Sequence, residues 1–394
     1  MNLSAFLTSL AQEYAPFDPT RFPKVYARFL ERFSDNTPKI QIIGTNGKGS
    51  TGRFITLLLE QAGLKVLHFT SPHLLSFRER FYTQGSIISE NALQEAHAHL
   101  HKYLHKLRLD SHISYFEYAT LLAVVLAQDC DLMVAEAGLG GALDSTTHLH
   151  ARCALVCTPI SLDHTDRLGS TLSEIVHTKL AAMGSLEPNT PIILAPQDPS
   201  VQMQAQEMAM SHSLPLFLVN PPSPTACIYA NHYAYPLFLA QNLQTALDSL
   251  EVLQLPHNPA TIPPLDLRGR FEILESNLIL DVVHNVGGAK ALKEALQQNF
   301  KDQKIHLVYN SYARKDVRSI LECLRSVIAR VWVFKVEDIQ IMELEKLEDL
   351  LEKLHLAWEI FSWKKFYALK EENLWVVGGS FSVVGTFLRE YDAG

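Results

Sequence analysis

Apolar residues recur at helical spacing near the start of the chain, at Leu3, Phe6, Leu7 and Leu10, and again at Val25, Phe29 and Phe33. Pro16, Pro19 and Pro23 divide this stretch into short helices. After the turn Asn36-Thr37-Pro38 the pattern changes to a continuous apolar run, Ile40-Gln41-Ile42-Ile43, which predicts a strand. Glycine-rich residues 44–51 follow, and Arg53–Glu60 returns to helical spacing. Gly63 ends that helix, and 65–69 predicts a second strand. Further helices are expected over 89–107 and 114–128, from Thr171, and from Ala240. Further strands are expected at 131–136, 154–160 and 191–195. Residues 196–235 are rich in proline and polar residues and carry no readable period.

Pro256–Leu267 is proline-rich and hinge-like. Beyond it, strands at 278–280, 305–309, 331–335 and 374–377 alternate with helices near 316–328 and 342–354. Alternation of this kind predicts an α/β fold with mainly parallel sheets. A chain of 394 residues exceeds one typical core. The expected division is an N-terminal domain over 1–264, a linker over 265–275, and a smaller Rossmann-like α/β domain over 276–394. No G-x-G-x-x-G marks a dinucleotide site in the last part.

Composition narrows the classes. The apolar fraction of 47% is ordinary for a globular protein. A net charge of −8 gives no nucleic-acid footprint. The five cysteines (Cys130, Cys153, Cys157, Cys227 and Cys323) are scattered and lack paired C-x-x-C spacing, which reads as reduced thiols in a cytoplasm. No signal peptide is expected, and the longest apolar run, near Leu121–Ala127, is too short to span a bilayer.

The stretch with most chemistry is Gly44-Thr45-Asn46-Gly47-Lys48-Gly49-Ser50-Thr51. A glycine turn between strand and helix lets the backbone approach a phosphate, and the helix N-terminus aims free N–H groups at it. Lys48 adds a point charge, and Ser50 or Thr51 offers a hydroxyl to Mg²⁺. The spacing is not the usual phosphate loop: Ile42 stands where the first glycine belongs, and Gly49 separates Lys48 from Ser50. The N-terminal domain is therefore expected to be of the P-loop ATPase type. Asp131–Glu136 predicts a buried strand ending on a carboxylate beside the glycine loop 138–146, where open α/β sheets position metal and phosphate chemistry. His97, His101 and His105 lie at i, i+4, i+8, but Glu90, Glu95, Lys102 and Lys106 surround them and the segment reads as a solvated helix face. These parts support phosphoryl transfer and do not choose an acceptor; a kinase or GTPase would use the same ones.

The string Gly-Thr-Asn-Gly-Lys-Gly-Ser resembles the nucleotide loop of the Mur-ligase superfamily, and its folate branch, the folylpolyglutamate and dihydrofolate synthases, resembles the chain further along. Thr70-Ser71-Pro72-His73-Leu74 with Glu79-Arg80 is similar to a segment bordering that branch's pterin site. The resemblance implies Ser71 as a metal ligand and Arg80 near the substrate; a turn-capping role for Ser71 stays open. Tyr115-Phe116-Glu117-Tyr118 is similar to members accepting dihydropteroate, with Phe116 flanking the pterin and Ser114 in place of threonine. Residues 136–147 follow E-x-G-L-G-G-R-x-D-A-T-N, with Ala142 for Arg, Ser145 for Ala and Thr147 for Asn. This implies Glu136 as metal ligand and Asp144 as substrate contact.

Asp163-His164…Leu168-Gly169 and Lys179 match a motif whose histidine holds a second Mg²⁺ and whose lysine is commonly carbamylated. Asn242 matches an asparagine near the adenine, and Arg270, in Arg268-Gly269-Arg270-Phe271-Glu272, a nucleotide-phosphate contact. Asp281-Val282-Val283-His284-Asn285 resembles D-x-A-H-N, which meets the nucleotide. The resemblance implies ATP, bound by Thr45, Asn46, Gly47, Lys48, Gly49, Ser50, Asn242, Arg270 and Asp281, and two Mg²⁺ held by Ser50, Ser71, Glu136 and His164. It implies catalysis by Lys48, His164, Lys179, Asp281 and His284. The implied reaction is ATP-dependent addition of L-glutamate to dihydropteroate and to tetrahydrofolates, by a monomer without nucleic-acid or membrane partners. A monofunctional synthase stays open, as does a nucleotide-binding protein without chemistry, on the strength of Ala142.

Overall fold

Lys39–Ile43 (β1) is buried at every position and lies in the middle of an eight-stranded sheet. The other strands are Val66–Phe69 (β2), Phe81–Thr83 (β3), Ser86–Ile87 (β4), Leu132–Glu136 (β5), Arg152–Cys157 (β6), Ile192–Leu194 (β7) and Leu216–Leu218 (β8), in the order β4-β3-β2-β5-β1-β6-β7-β8. All pairs are parallel except β2–β3 and β3–β4. Parallel strands of this kind have both faces covered, and β1, β2 and β5 are accordingly buried at every position, including Gln41 and His68. The computed structural model describes residues 1–10, 18–301 and 303–393. Pro16, expected to divide the N-terminal helices, lies outside them.

By residue contacts the chain forms two compact units. The first comprises Met1–Ile160, Leu172–Ser223 and Asn242–Pro263; the second comprises Ser161–Thr171, Pro224–Gln241 and Pro264–Gly394. The first unit's core gathers around the helix Tyr115–Ala127, where Tyr118, Ala119, Leu121, Leu122 and Ala123 are fully buried. Ser114 and Glu117 start that helix as a reciprocal cap, each side chain bonding the other's backbone N–H, an arrangement worth about 1 kcal/mol.

The second unit carries a six-stranded sheet: Glu272–Glu275 (β9), Leu278–Leu280 (β10), Ile305–Tyr309 (β11), Ile328–Val333 (β12), Trp358–Ile360 (β13) and Leu374–Gly378 (β14), in the order β13-β12-β11-β14-β10-β9. Only the β9–β10 pair is antiparallel. The helices Val286–Asn299, Val317–Leu324, Leu344–Lys353 and Phe381–Tyr391 accompany it.

The main departures from the sequence reading are local. Residues 196–235 hold the helices Pro199–Ser211 and Pro224–His232 and strand β8. The first of these starts on Asp198, whose carboxylate caps Ser200 N, with Pro199 at the first helical position. The helix expected over 316–328 stops at Leu324, and β12 opens at the β-branched Ile328, three residues earlier than expected. Residues 272–275, assigned to the linker, form a strand of the second sheet.

Candidate active site

Parallel register sets which loops of the first unit meet. Ile42 pairs with Glu136, Ile43 with Cys157, and Phe69 with Ala135. The carboxyl ends of β1, β2, β5 and β6 therefore deliver the 44–47 loop, Thr70-Ser71, Glu136 and Thr158 to one rim of the sheet, where α/β folds bind ligands. The loop is fixed by backbone: Thr45 N and Asn46 N donate to Pro159 O at 2.9 and 3.1 Å, and Thr158 N donates to Ile43 O at 2.9 Å. Gly44 has φ +135°, and a Cβ there would lie 2.1 Å from Thr158 Oγ1 and 2.6 Å from Thr158 O. Gly47, φ +86°, leads into the helix Lys48–Gln61, and Asn242 Oδ1 sits 2.7 Å from where its Cβ would be. The structure thus brings Asn242 against the glycine loop.

Lys48 Nζ lies 3.7 Å from Glu136 Oε1. The other carboxylate oxygen accepts from Thr70 Oγ1 and, at 3.2 Å, from Ser71 N. Both side chains are largely buried, so the carboxylate's charge is balanced by one lysine and two hydrogen bonds. Thr70 was not singled out from sequence; the residue preceding Ser71 at the end of β2 was the available signal. The donors in this unit, the Glu136 carboxylate and the Ser50 and Ser71 hydroxyls, are hard oxygens beside a phosphate-type loop, and that set fits Mg²⁺.

Lys179, near the end of the helix Leu172–Leu180, is buried and donates to Gly44 O at 2.9 Å and Leu139 O at 2.7 Å. One amine thus ties the 44–47 loop to the 138–144 loop. Asp144 holds the second loop by accepting from Leu139 N, Gly140 N, Thr146 N and Thr146 Oγ1 at 2.7–3.2 Å. Phe116 stacks near Phe69, ring centroids 5.7 Å apart, and closes against Gly138. Arg80 is fully buried, donates from Nε to His73 Nδ1 at 3.0 Å, and lies 5.2 Å from the Tyr115 ring centroid. Tyr115 precedes Phe116 in the helix, and Arg80 links Tyr115 to His73 through these contacts.

In the second unit the constellation is built on Asp163, which sequence reading left without a role. Its carboxylate accepts from Lys315 Nζ and from Asn285 Nδ2 at 3.2 Å, and lies 3.3 Å from His284 Nε2 and 3.8 Å from His164 Nε2. Burial works against the ionised form, yet the hydrogen bond with His284 and the charge of Lys315 hold this carboxyl well below the usual range. Burial in turn lowers His284. His164 sits in the left-handed region, φ +50°, and its carbonyl accepts from Arg167 N and Leu168 N.

Asp281 follows β10. Its two oxygens accept from Phe271 N at 3.0 Å and Val283 N at 2.9 Å, and burial pushes its carboxyl up to about 6 against the pull of Arg270. The Arg270 guanidinium lies 4.8 Å from the Phe381 ring centroid. Lys315 lies beyond the end of β11 and is the second residue given no role from sequence, although Lys315-Asp316 is similar to the D-K-D of the resembled family without its first Asp.

A phosphate-type loop, an acid at the end of the neighbouring strand and a second parallel-sheet unit with its own basic cluster define an α/β nucleotide-dependent enzyme. Comparison with known proteins narrows the class. No protein-family model matches the chain. The Escherichia coli (strain K12) dihydrofolate synthase/folylpolyglutamate synthase is 30% identical over 382 residues, covering 89% of this chain and 86% of that protein. The crystal structure of Helicobacter pylori folylpolyglutamate synthetase is 41% identical, with a TM-score of 0.77 over 100% of this chain and 98% of that one. E. coli FolC in complex with DHPP and ADP is 26% identical, with a TM-score of 0.83 over the same shares. The chain belongs to the dihydrofolate synthase/folylpolyglutamate synthase family.

Proposed function

We propose that this chain is an ATP-dependent amide ligase that adds L-glutamate to dihydropteroate, giving dihydrofolate, and to the glutamate of tetrahydrofolates. The observation that carries the reading is the Gly44–Ser50 loop with Lys48 3.7 Å from Glu136 at the ends of adjacent parallel strands. Family membership and the ADP and DHPP bound by the E. coli relative support it.

The chemistry is two substitutions. A carboxylate oxygen of the folate substrate attacks the γ-phosphorus of ATP, the bond to the ADP oxygen breaks, and an acyl phosphate forms. The glutamate amine then attacks the acyl carbon, the tetrahedral intermediate expels phosphate, and the amine proton leaves with phosphate or solvent. Lys48 and the loop N–H groups balance charge on the transferred phosphoryl, which is where catalysis of this class lies. Thr45, Asn46, Gly47, Gly49, Asn242, Arg270 and Asp281 are the nucleotide-binding residues of this reading. Phe116, Arg80 and Asp144 serve the pterin-side substrate. Asp163 and Lys315 hold His284 in orientation. Ser50, Ser71, Glu136 and His164 would hold two Mg²⁺, which when bound neutralise phosphate charge. Lys179 is a candidate for carbamylation; its nitrogen would then keep one N–H, so at least one bond to Gly44 O or Leu139 O must be released.

A cytoplasmic monomer is part of the same reading. Scattered free cysteines support a reducing compartment, and among the described residues no helix is long and apolar enough to cross a membrane. The test is ATP-dependent phosphate release with L-glutamate, comparing dihydropteroate and tetrahydrofolate. Release with both acceptors is expected. Release with one assigns a monofunctional synthase, and ATP binding without release in either case overturns the ligase reading.

A further inference from the structure

The histidine ladder of the helix Glu90–Lys106 is not the uniform solvated face its sequence suggests. His97 is buried, and both ring nitrogens are engaged, Nδ1 with Tyr118 Oη at 2.7 Å and Nε2 with Met1 O at 3.2 Å. The next two rungs differ. His101 and His105 stack with ring centroids 5.7 Å apart and planes at 16°. Phe6 meets His101 edge-on at 4.7 Å and fixes that ring.

The end of the helix supplies a third donor. Arg108 takes φ +56°, Arg108 N donates to His105 O at 2.9 Å, and Leu109 N donates to Leu104 O at 2.9 Å. These two bonds make a Schellman turn, which folds the chain back over the last helical turn. Asp110 therefore returns to the histidine face: Oδ2 lies 2.6 Å from His105 Nδ1 and 3.9 Å from His101 Nε2. One ligand atom from each of the three lies within 4.8 Å of the others, the one such group of three His, Cys, Asp or Glu among the described residues.

We propose that His101, His105 and Asp110 form a surface site for a late first-row divalent cation such as Zn²⁺, separate from the ligase chemistry. Ligands about 2.0–2.2 Å from a tetrahedral ion stand roughly 3.3–3.6 Å from one another. The present spacings bracket that value, and His105, 73% exposed, is free to swing outward to reach it. Two imidazoles and one carboxylate select zinc, copper, nickel or cobalt over Mg²⁺, which prefers all-oxygen sites. Three protein ligands leave one position for water, and the bound ion clamps the helix end to the turn that follows it.

The test is calorimetric titration of the full chain with ZnCl₂ in saturating Mg²⁺, with circular dichroism to verify folding. One Zn²⁺ per chain is expected, with a higher thermal midpoint. His105→Ala and Asp110→Asn should each weaken binding at least about tenfold, the lower end of the loss from disturbing a metal's outer partners. His97→Asn should leave affinity unchanged, and His105→Ala should keep Mg²⁺-dependent phosphate release. Binding that survives His105→Ala locates the ion elsewhere among the seventeen histidines and overturns the proposal. Binding lost in His105→Ala but kept in Asp110→Asn removes Asp110 from the site and overturns the three-ligand arrangement, and so does the absence of stoichiometric binding.

Discussion

The two units organise their strand ends by different means. In the first, the phosphate-type loop is held mainly by backbone: Thr45 N, Asn46 N and Thr158 N make three of its bonds, the Lys179 amine adds one side-chain tie to Gly44 O, and Gly44 lies against Thr158 with no room for a side chain. In the second, the loops carrying His164 and His284 are held by side chains that converge on Asp163. A backbone-built site tolerates changes of side chain but no added carbon at its glycines. A site built from charges tolerates changes of shape but not of charge balance. Substitutions in each unit should therefore fail in different ways.

The largest effect is expected from Gly44→Ala. Overpacking costs about 1–3 kcal/mol and a strained left-handed backbone about 1–3 kcal/mol. With a Cβ 2.1 Å from Thr158 Oγ1, the upper end of both is expected, read as a lower urea midpoint together with loss of ATP binding. Normal stability in this variant would break the distinction for the first unit.

Next is Lys315→Met. It removes the lysine from a buried carboxylate, and breaking one side of such a pair costs about 3–5 kcal/mol. Replacing Asp163 by Leu in the same chain should recover most of that loss, because no buried charge is then left uncompensated. A double variant no better than Lys315→Met would show that the cluster is held by shape and not by charge.

Lys48→Ala leaves the buried Glu136 carboxylate with its two hydrogen bonds and no cation, so a lower urea midpoint is expected, and kcat should fall by roughly 10²–10³, the scale expected for removing one group that balances transition-state charge. Phosphate release at near wild-type rate would remove Lys48 from the chemistry.

The smallest effect concerns pH. His68, in β2, is fully buried and accepts at Nδ1 from Arg53 Nε at 3.2 Å, and burial holds it well below its ordinary value. The folded protein keeps His68 neutral, whereas the unfolded chain takes up a proton below about pH 6.5. Its contribution to stability is therefore intact above pH 6.5 and lost as pH falls, by up to about 1.4 kcal/mol per pH unit. His68→Asn retains an acceptor for Arg53 and should flatten the urea-unfolding profile between pH 7 and 5. An unchanged slope would assign the acid sensitivity to other histidines.

What the sequence made legible follows from how far apart the partners are. The strand, glycine turn and helix of 39–61 are contiguous, so the local pattern contains the whole device. Glu136 was readable because it closes an apolar run, and Asn242 only through family resemblance, although it packs against Gly47. The clamp of Lys179 on Gly44 O and Leu139 O joins residues 135 and 40 positions apart, and nothing local announces it. Asp163 and Lys315 are 152 positions apart, and nothing local to either announces their pairing. Asp110 was passed over because its position depends on a turn at Arg108 that carries no glycine to mark it. The short strand 272–275 hid in the expected linker because four residues hold too little pattern to separate strand from loop.

The second unit is gathered from three separated stretches, and that has a consequence for synthesis. Asp163 leaves the ribosome 152 residues ahead of Lys315. At about 5–20 residues per second the acid waits roughly 8–30 s for its cation. During that interval residues 161–171 have no finished unit to join, and a ribosome stalled before residue 315 would release a chain whose first sheet is complete and whose second is an exposed, half-paired edge, a natural target for a chaperone or protease.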